Sequence, residues 1–144
     1  MRATLSTDKL ATGSGLYVSV VPRSVPGGSD YRAVVRSQSN GRLSLRLDRG
    51  ATVIAPEIVV SGVTAAPDRR LDVRVQAIGA NPTTVRAKVW EHGTPEPANW
   101  LRSATDATSG MQQPGTIGFR THLSSSASNS PIVTSIHDLT VTAS

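Results

Sequence analysis

The 144 residues carry 15 Lys and Arg against 10 Asp and Glu, a net charge of +5, with 38% apolar residues, 3% aromatic residues and no cysteine. The length suits a single domain, 1–144, with a core of its own. The missing cysteine excludes a disulfide scaffold, a thiolate metal site and a cysteine nucleophile.

With so few aromatic rings the core must come from Val, Leu, Ile and Ala, and β-branched side chains favour strands. The positive charge is almost wholly arginine. The arginines are neither clustered nor interleaved with aromatics, so no nucleic-acid partner is expected. No apolar run is long enough to span a bilayer, and MRATLSTDKL lacks an apolar h-region. No membrane insertion and no signal peptide are therefore expected in this chain.

In chain order, apolar residues recur with period two and hardly ever with period 3.6. Residues 15–22 read as a strand. The segment 22–30, PRSVPGGSD, reads as a flexible loop. Tyr31, Ala33 and Val35 then alternate with Arg32, Val34 and Arg36. After a turn on Ser39, Asn40 and Gly41, Leu43, Leu45 and Leu47 alternate with Arg42, Ser44, Arg46 and Asp48. Pairing these strands about the turn sets Val35 near Leu43, Ala33 near Leu45 and Tyr31 near Leu47. The other face then sets Arg36 near Arg42 and Arg32 near Arg46. Like charges in opposition cost stability, so this face needs water, an acidic neighbour or a ligand.

Further strands are expected at 52–60, 99–106, 115–121 and 131–142, and a second hairpin follows the same rule. In it Leu71, Val73, Val75 and Ala77 point inward, while Asp72, Arg74 and Gln76 point outward. A turn at Gly79-Ala80-Asn81-Pro82 leads to a strand where Val85, Ala87 and Val89 alternate with Thr84, Arg86, Lys88 and Trp90. Many short strands between Gly, Pro, Ser and Asn turns predict an all-β antiparallel sandwich. The polar loops 22–30 and 122–131 are candidate rims of a binding surface.

The run TTVRAKVWEHGTPEPANWLRSATD, with QQPGTIGFRTHLS and SPIVTSIHDLTVT, resembles the concanavalin A-like (laminin G-like) lectin/glucanase superfamily. More narrowly, it is similar to modules of actinobacterial secreted proteins and of actinobacteriophage minor tail proteins. The earlier segments STDKLATGSGLYVSVVPR and DYRAVVRSQSNGRLSLRL match the preceding strands of such a module, so the likeness runs from about residue 5 to 143. The resemblance implies a jelly-roll of one convex and one concave sheet, with glycans on the concave sheet or its rim loops. Similar modules carry one or two further strands ahead of this point. That implies first strands missing here, or an edge covered by another chain, with a homo-oligomer as one outcome.

Catalysis is not expected. Glycosidases of that superfamily place carboxylates on one strand as E-x-D-x-x-E or E-x-D-x-E, close enough for retaining hydrolysis. The only glutamates here, Glu57, Glu91 and Glu96, have no acidic residue two positions on. There is no G-x-S-x-G elbow. His137 and Asp138, neighbours on a strand, should point to opposite faces. His92, His122 and His137 lack metal-ligand spacing. No cofactor is expected, with calcium the one candidate ion. Its weak candidate ligands are Asp30 and Asp138, then Asp68 and Asp106, each more readily read as a turn-stabilising Asp.

The candidate ligand-binding residues are Arg86, Lys88, Trp90, Trp100, Arg32 and Arg46. Trp90 and Trp100 offer flat rings for a sugar, or else close the end of the core. The arginines at 32, 36, 42, 46, 74 and 86 form a face suited to acidic wall polymers, or else a solvated surface. These readings give a non-catalytic recognition or structural module of a phage virion or cell surface. Its partner is a glycan or cell-wall polymer, or, in a purely architectural role, other virion proteins. Its expected location is the virion surface or outside the cell.

Overall fold

The computed structural model describes residues 1–143. It contains ten strands: β1 (Arg2–Thr7), β2 (Leu16–Ser24), β3 (Asp30–Ser37), β4 (Leu43–Arg49), β5 (Thr52–Val59), β6 (Leu71–Ile78), β7 (Thr83–Glu91), β8 (Arg102–Asp106), β9 (Thr116–Leu123) and β10 (Thr134–Thr140). They form two five-stranded sheets, one in the order β10-β1-β6-β7-β8 and the other β5-β4-β3-β2-β9. Every pairing is antiparallel. Among the described residues no helix is long and apolar enough to cross a membrane.

The inward rows are aliphatic, as the composition requires. Val18, Val20, Ala33, Val35, Leu43, Leu45 and Leu47 come from one sheet. Ala3, Leu5, Val73, Val75, Val85, Ala87 and Val89 come from the other, and together they form one core. The chain is thus all-β, with two sheets face to face.

β1, which period-two reading did not separate from the N-terminal polar stretch, is an inner strand between β10 and β6. Only Ala3 and Leu5 of RATLST face the core, which is a thin signal. The β3–β4 register also differs from expectation. Tyr31 pairs with Arg49, Ala33 with Leu47, Val35 with Leu45 and Ser37 with Leu43, two residues away from the predicted pairing. The cause is the connection, a three-residue loop Ser39-Asn40-Gly41 with Gly41 at φ 84°. In it Gly41 N–H donates to Gln38 O (2.9 Å) and Gln38 N–H to Arg42 O (3.1 Å). This is a type I turn closed by a left-handed glycine bulge. The expected opposition of like charges disappears: Arg32 lies opposite Asp48, Arg36 opposite Ser44 and Arg46 opposite Val34.

The segment 22–30 is not a free loop. β2 runs through Ser24, and Val25–Ser29 is a tight turn with Val25 N–H donating to Ser29 O. The Arg23 guanidinium bonds Thr83 Oγ1 and the carbonyls of Ala77 and Gly79. Likewise His122 and Leu123 belong to β9, and the loop beyond them is tied to residues 12–14 through Asn129 and Ser126.

One end of the sandwich is locked by a buried cluster. Tyr31 Oη donates to Asp106 Oδ2 (2.6 Å), and Arg49 Nη1 to Asp106 Oδ1 (2.6 Å). Burial alone would raise the Asp106 carboxyl. Bonds from Tyr31, Thr108 and Arg49 outweigh it and hold the group below the usual aspartate value.

The opposite side is less complete. β8 packs over β5 and β4, β7 over β4 and β3, and β6 over β3 and β2. The remaining edges, β9 and β10, therefore share one side. There Ile117, Val133, Ile136, Leu139 and Val141 remain exposed, beside a cavity of about 600 Å³ reached by Ile117 and Val141. Leu139 and Ile136 pair with the inward-facing Ala3 and Leu5, so they point toward the interior without a covering partner.

Candidate functional site

The candidate residues divide between the two outer surfaces of the sandwich. On β7, alternation turns Val85, Ala87 and Val89 inward and Arg86, Lys88 and Trp90 outward. The segment between β7 and β8 folds back over this row. Lys88 Nζ donates to Pro97 O (2.6 Å) and pairs with Glu96 (2.8 Å), which Arg74 also reaches (3.0 Å). The bond from Lys88 outweighs the burial cost of Glu96 and, with the nearby cations, holds its carboxyl below the ordinary glutamate value. Trp100 lies under both Arg86 Cζ (4.6 Å) and Lys88 Nζ (4.8 Å), at cation–π distance. Trp90 is only 3% exposed, with Arg2 over its ring at 5.2 Å.

Arg86, Lys88, Trp90 and Trp100 are thus brought together, but the protein's own chain occupies the space above them. Asp72, expected to face solvent, points outward yet is 1% exposed. It is covered by Arg2 (2.8 Å), Thr4 and His92 Nδ1 (3.1 Å). Burial works to raise its carboxyl. The hydrogen bonds from Thr4, Arg2 and His92 win, and the group sits below the usual aspartate value.

The outer surface of the other sheet is open. Because Val18, Val20, Ala33, Val35, Leu45 and Leu47 face the core, their neighbours Tyr17, Ser19, Arg32, Val34, Arg46 and Asp48 face out. The register aligns them in rows across four strands. Tyr17 lies beside His122 and Arg36, Ser19 between Arg120 and Val34, Val34 beside Arg46, and Arg32 beside Asp48. The result is a groove of about 410 Å³ with Ser19 and Val34 on its floor and Ser14, Ser124 and Ser125 on its rim.

Arg46 Nε bonds both oxygens of Asp48 (3.0 and 3.2 Å). Arg32 Nε bonds Asp30 Oδ1 (2.9 Å), and Arg120 approaches Asp30 Oδ2 (3.1 Å). Arg36 and Arg46 lie 5.3 and 5.6 Å from the Tyr17 ring centre, and the His122 ring is tilted against it at 5.8 Å.

Of the candidates, Arg32 and Arg46 line this groove, while Arg86, Lys88, Trp90 and Trp100 lie on the opposite surface. The predicted arginine face is therefore two faces, with Arg74 and Arg86 on one and Arg32, Arg36 and Arg46 on the other. Tyr17 escaped sequence reasoning, whereas His122, Ser124 and Ser125 fall in the segment 122–131 that was expected as a rim, without any sign of His122 as Tyr17's neighbour. An aromatic ring on the polar side of LYVSVV was the available signal for Tyr17. His122 joins it only through the β2–β9 pairing, which no local pattern encodes.

The candidate metal ligands are dispersed. Asp30 and Asp106 are held by arginines, Asp68 sits in a turn at φ 59°, and Asp138 Oδ1 accepts from the Leu139 amide. Among the described residues no group of three or more His, Asp or Glu could hold a metal ion. A bulge in the β1–β10 pairing also changes the expectation for His137 and Asp138. His137 Nε2 reaches Ser6 Oγ (2.7 Å) on the same outer surface as Thr4, the partner of Asp138. Compared with known families, curated proteins and solved structures, the chain matches none.

Proposed function

We propose that this chain is a non-catalytic glycan-recognition module that attaches a phage virion or an extracellular protein to its target. Its fold in this reading is a concanavalin A-like jelly-roll, with β5-β4-β3-β2-β9 as the ligand-bearing sheet. The observation that carries the reading is the open groove formed by Tyr17, Arg32, Arg46 and His122. It is polar, rigidly floored by paired strands and rimmed by serine hydroxyls, which suits a ligand made of hydroxyls and ring oxygens. Both nearby aspartates are bound to arginines, an arrangement for orienting donors rather than for moving protons. A glycan array probed with the wild-type chain and with Tyr17→Ala tests this. Glycan binding that disappears in the variant is expected, and an array with no retained glycan defeats the reading.

One observation favours a second reading, a purely architectural virion protein. The exposed Ile136, Leu139 and Val141 on the β9–β10 side are the kind of apolar surface that a neighbouring subunit covers. Light scattering on the chain and on Ile136→Asp separates the two readings. An assembly that dissociates in the variant supports architecture. A monomer in both supports a free-standing binding module.

A further inference from the structure

Which groups in the groove remain unspent decides what it can recognise. Both carboxylates beside it are engaged. Asp48 receives Arg46 Nε on both oxygens, while Asp30 accepts from Arg32 through Oδ1 and keeps Oδ2 buried, 3.1 Å from Arg120 without a hydrogen bond. They are 5% and 3% exposed and offer little acceptor surface to a ligand. The donors are in the opposite state. Arg32 and Arg46 are each tethered through Nε. Their Nη groups make no hydrogen bond among the described residues, and neither do the Tyr17 hydroxyl or the His122 ring nitrogens.

Neutral sugars present donors and acceptors in about equal number and are matched by mixed partners. A groove whose carboxylates are engaged or buried, and whose guanidinium Nη donors are free beside hydroxyls and an imidazole that can donate or accept, favours a ligand that brings a charged acceptor. Two guanidinium groups fixed at Nε, with their outer nitrogens open, suit a carboxylate, which takes paired N–H donors in parallel. The tether also removes much of the side-chain entropy cost that a free arginine would pay on binding.

We propose that the groove recognises an acidic saccharide, a chain of uronic-acid type, with its carboxylate seated on the outer nitrogens of Arg32 and Arg46. The Tyr17 hydroxyl and the serine rim meet the ring hydroxyls. This rests on the glycan reading above and specifies its ligand class.

The test is isothermal titration of the full chain with three polymers of equal length: oligogalacturonate, its neutral methyl ester, and polyphosphate. The expected result is preference for the acid over the ester and over polyphosphate, each by at least about tenfold. Affinity should fall as NaCl rises, since the groove is open to solvent. Arg46→Gln should lose at least about tenfold, whereas Arg70→Gln, an equal loss of charge away from the groove, should bind as wild type. If Arg46→Gln does not fold, Arg46→Lys retains the charge without the two-pronged fork and should show the same loss. Equal binding of acid and ester, still dependent on Arg46, would overturn the acidic class and leave the glycan reading standing. Equal binding of polyphosphate would make the groove a general anion site and remove both. Binding of none of the three, nor of neutral glycans on the array, would also remove both.

Discussion

The two outer surfaces of the sandwich begin from the same materials and end in opposite conditions. Each presents arginines beside an aromatic ring on neighbouring strands. On the β7 surface the chain supplies its own counterpart: the Pro97 carbonyl and Glu96 engage Lys88, and Arg2 lies on Trp90. Glu96 also pairs with Arg74 Nη2, while Arg74 Nε stays buried without a hydrogen bond among the described residues. On the β2–β3–β4 surface the counterparts reach only Nε of the two central arginines, and the outer nitrogens face an open groove. A cationic, aromatic strand surface is therefore not a site by composition. It becomes a candidate for one where the protein leaves its donors unsatisfied.

Substitutions on the filled surface should cost stability, and matching ones on the open surface should cost binding. The largest effect is expected for Trp90→Ala. Deleting this buried ring should destabilise the fold by about 4 kcal/mol in urea titration. Tyr17→Ala in the groove should cost only about 1 kcal/mol, half-buried as the ring is. Similar losses at both positions would break the comparison.

Next is Asp72→Asn, which leaves Arg2 and Thr4 facing an amide and should cost about 2 kcal/mol at neutral pH. Because the Asp72 carboxyl lies below its unfolded value, its contribution is complete above about pH 4 and is lost as pH falls through the lower folded value. Wild-type stability should fall over that acid interval, and the Asn variant should fall less. Parallel acid profiles for the two proteins would show that the buried charge is not coupled to folding. The smallest effect belongs to Glu96→Gln, about 1 kcal/mol. It weakens the clasp on Lys88 without emptying the surface, and differential scanning calorimetry should resolve the lowered midpoint.

How much of this was legible follows from which signals are local. Alternation along DYRAVVRS, LSLRLD, LDVRVQAI and TTVRAKVW identified these strands and their inward residues without any partner being known. The β1 strand was harder to see, since Ala3 and Leu5 are its only apolar inward residues. The β3–β4 pairing slipped by two because a two-residue shift keeps every side chain on its own face, so hydrophobic pattern is blind to it. The site depended on what is not local. Tyr17 meets His122 across more than a hundred residues of chain, and Trp90 is covered by Arg2 from a strand that sequence reading passed over. Arg32 and Arg46 were found because both lie on one hairpin, whose outward residues a single strand period reveals.

That hairpin also bears on how the chain folds. A mispairing by two residues would bury the same leucines and valines, so the core cannot reject it. The solvent side can, because the slipped hairpin sets Arg32 against Arg46 and Arg36 against Arg42, while the native one sets Arg32 beside Asp48. The charges along the groove thus proofread the assembly of the sheet that carries them, before any ligand arrives. Neutralising them would make the misaligned hairpin a closer competitor of the native one.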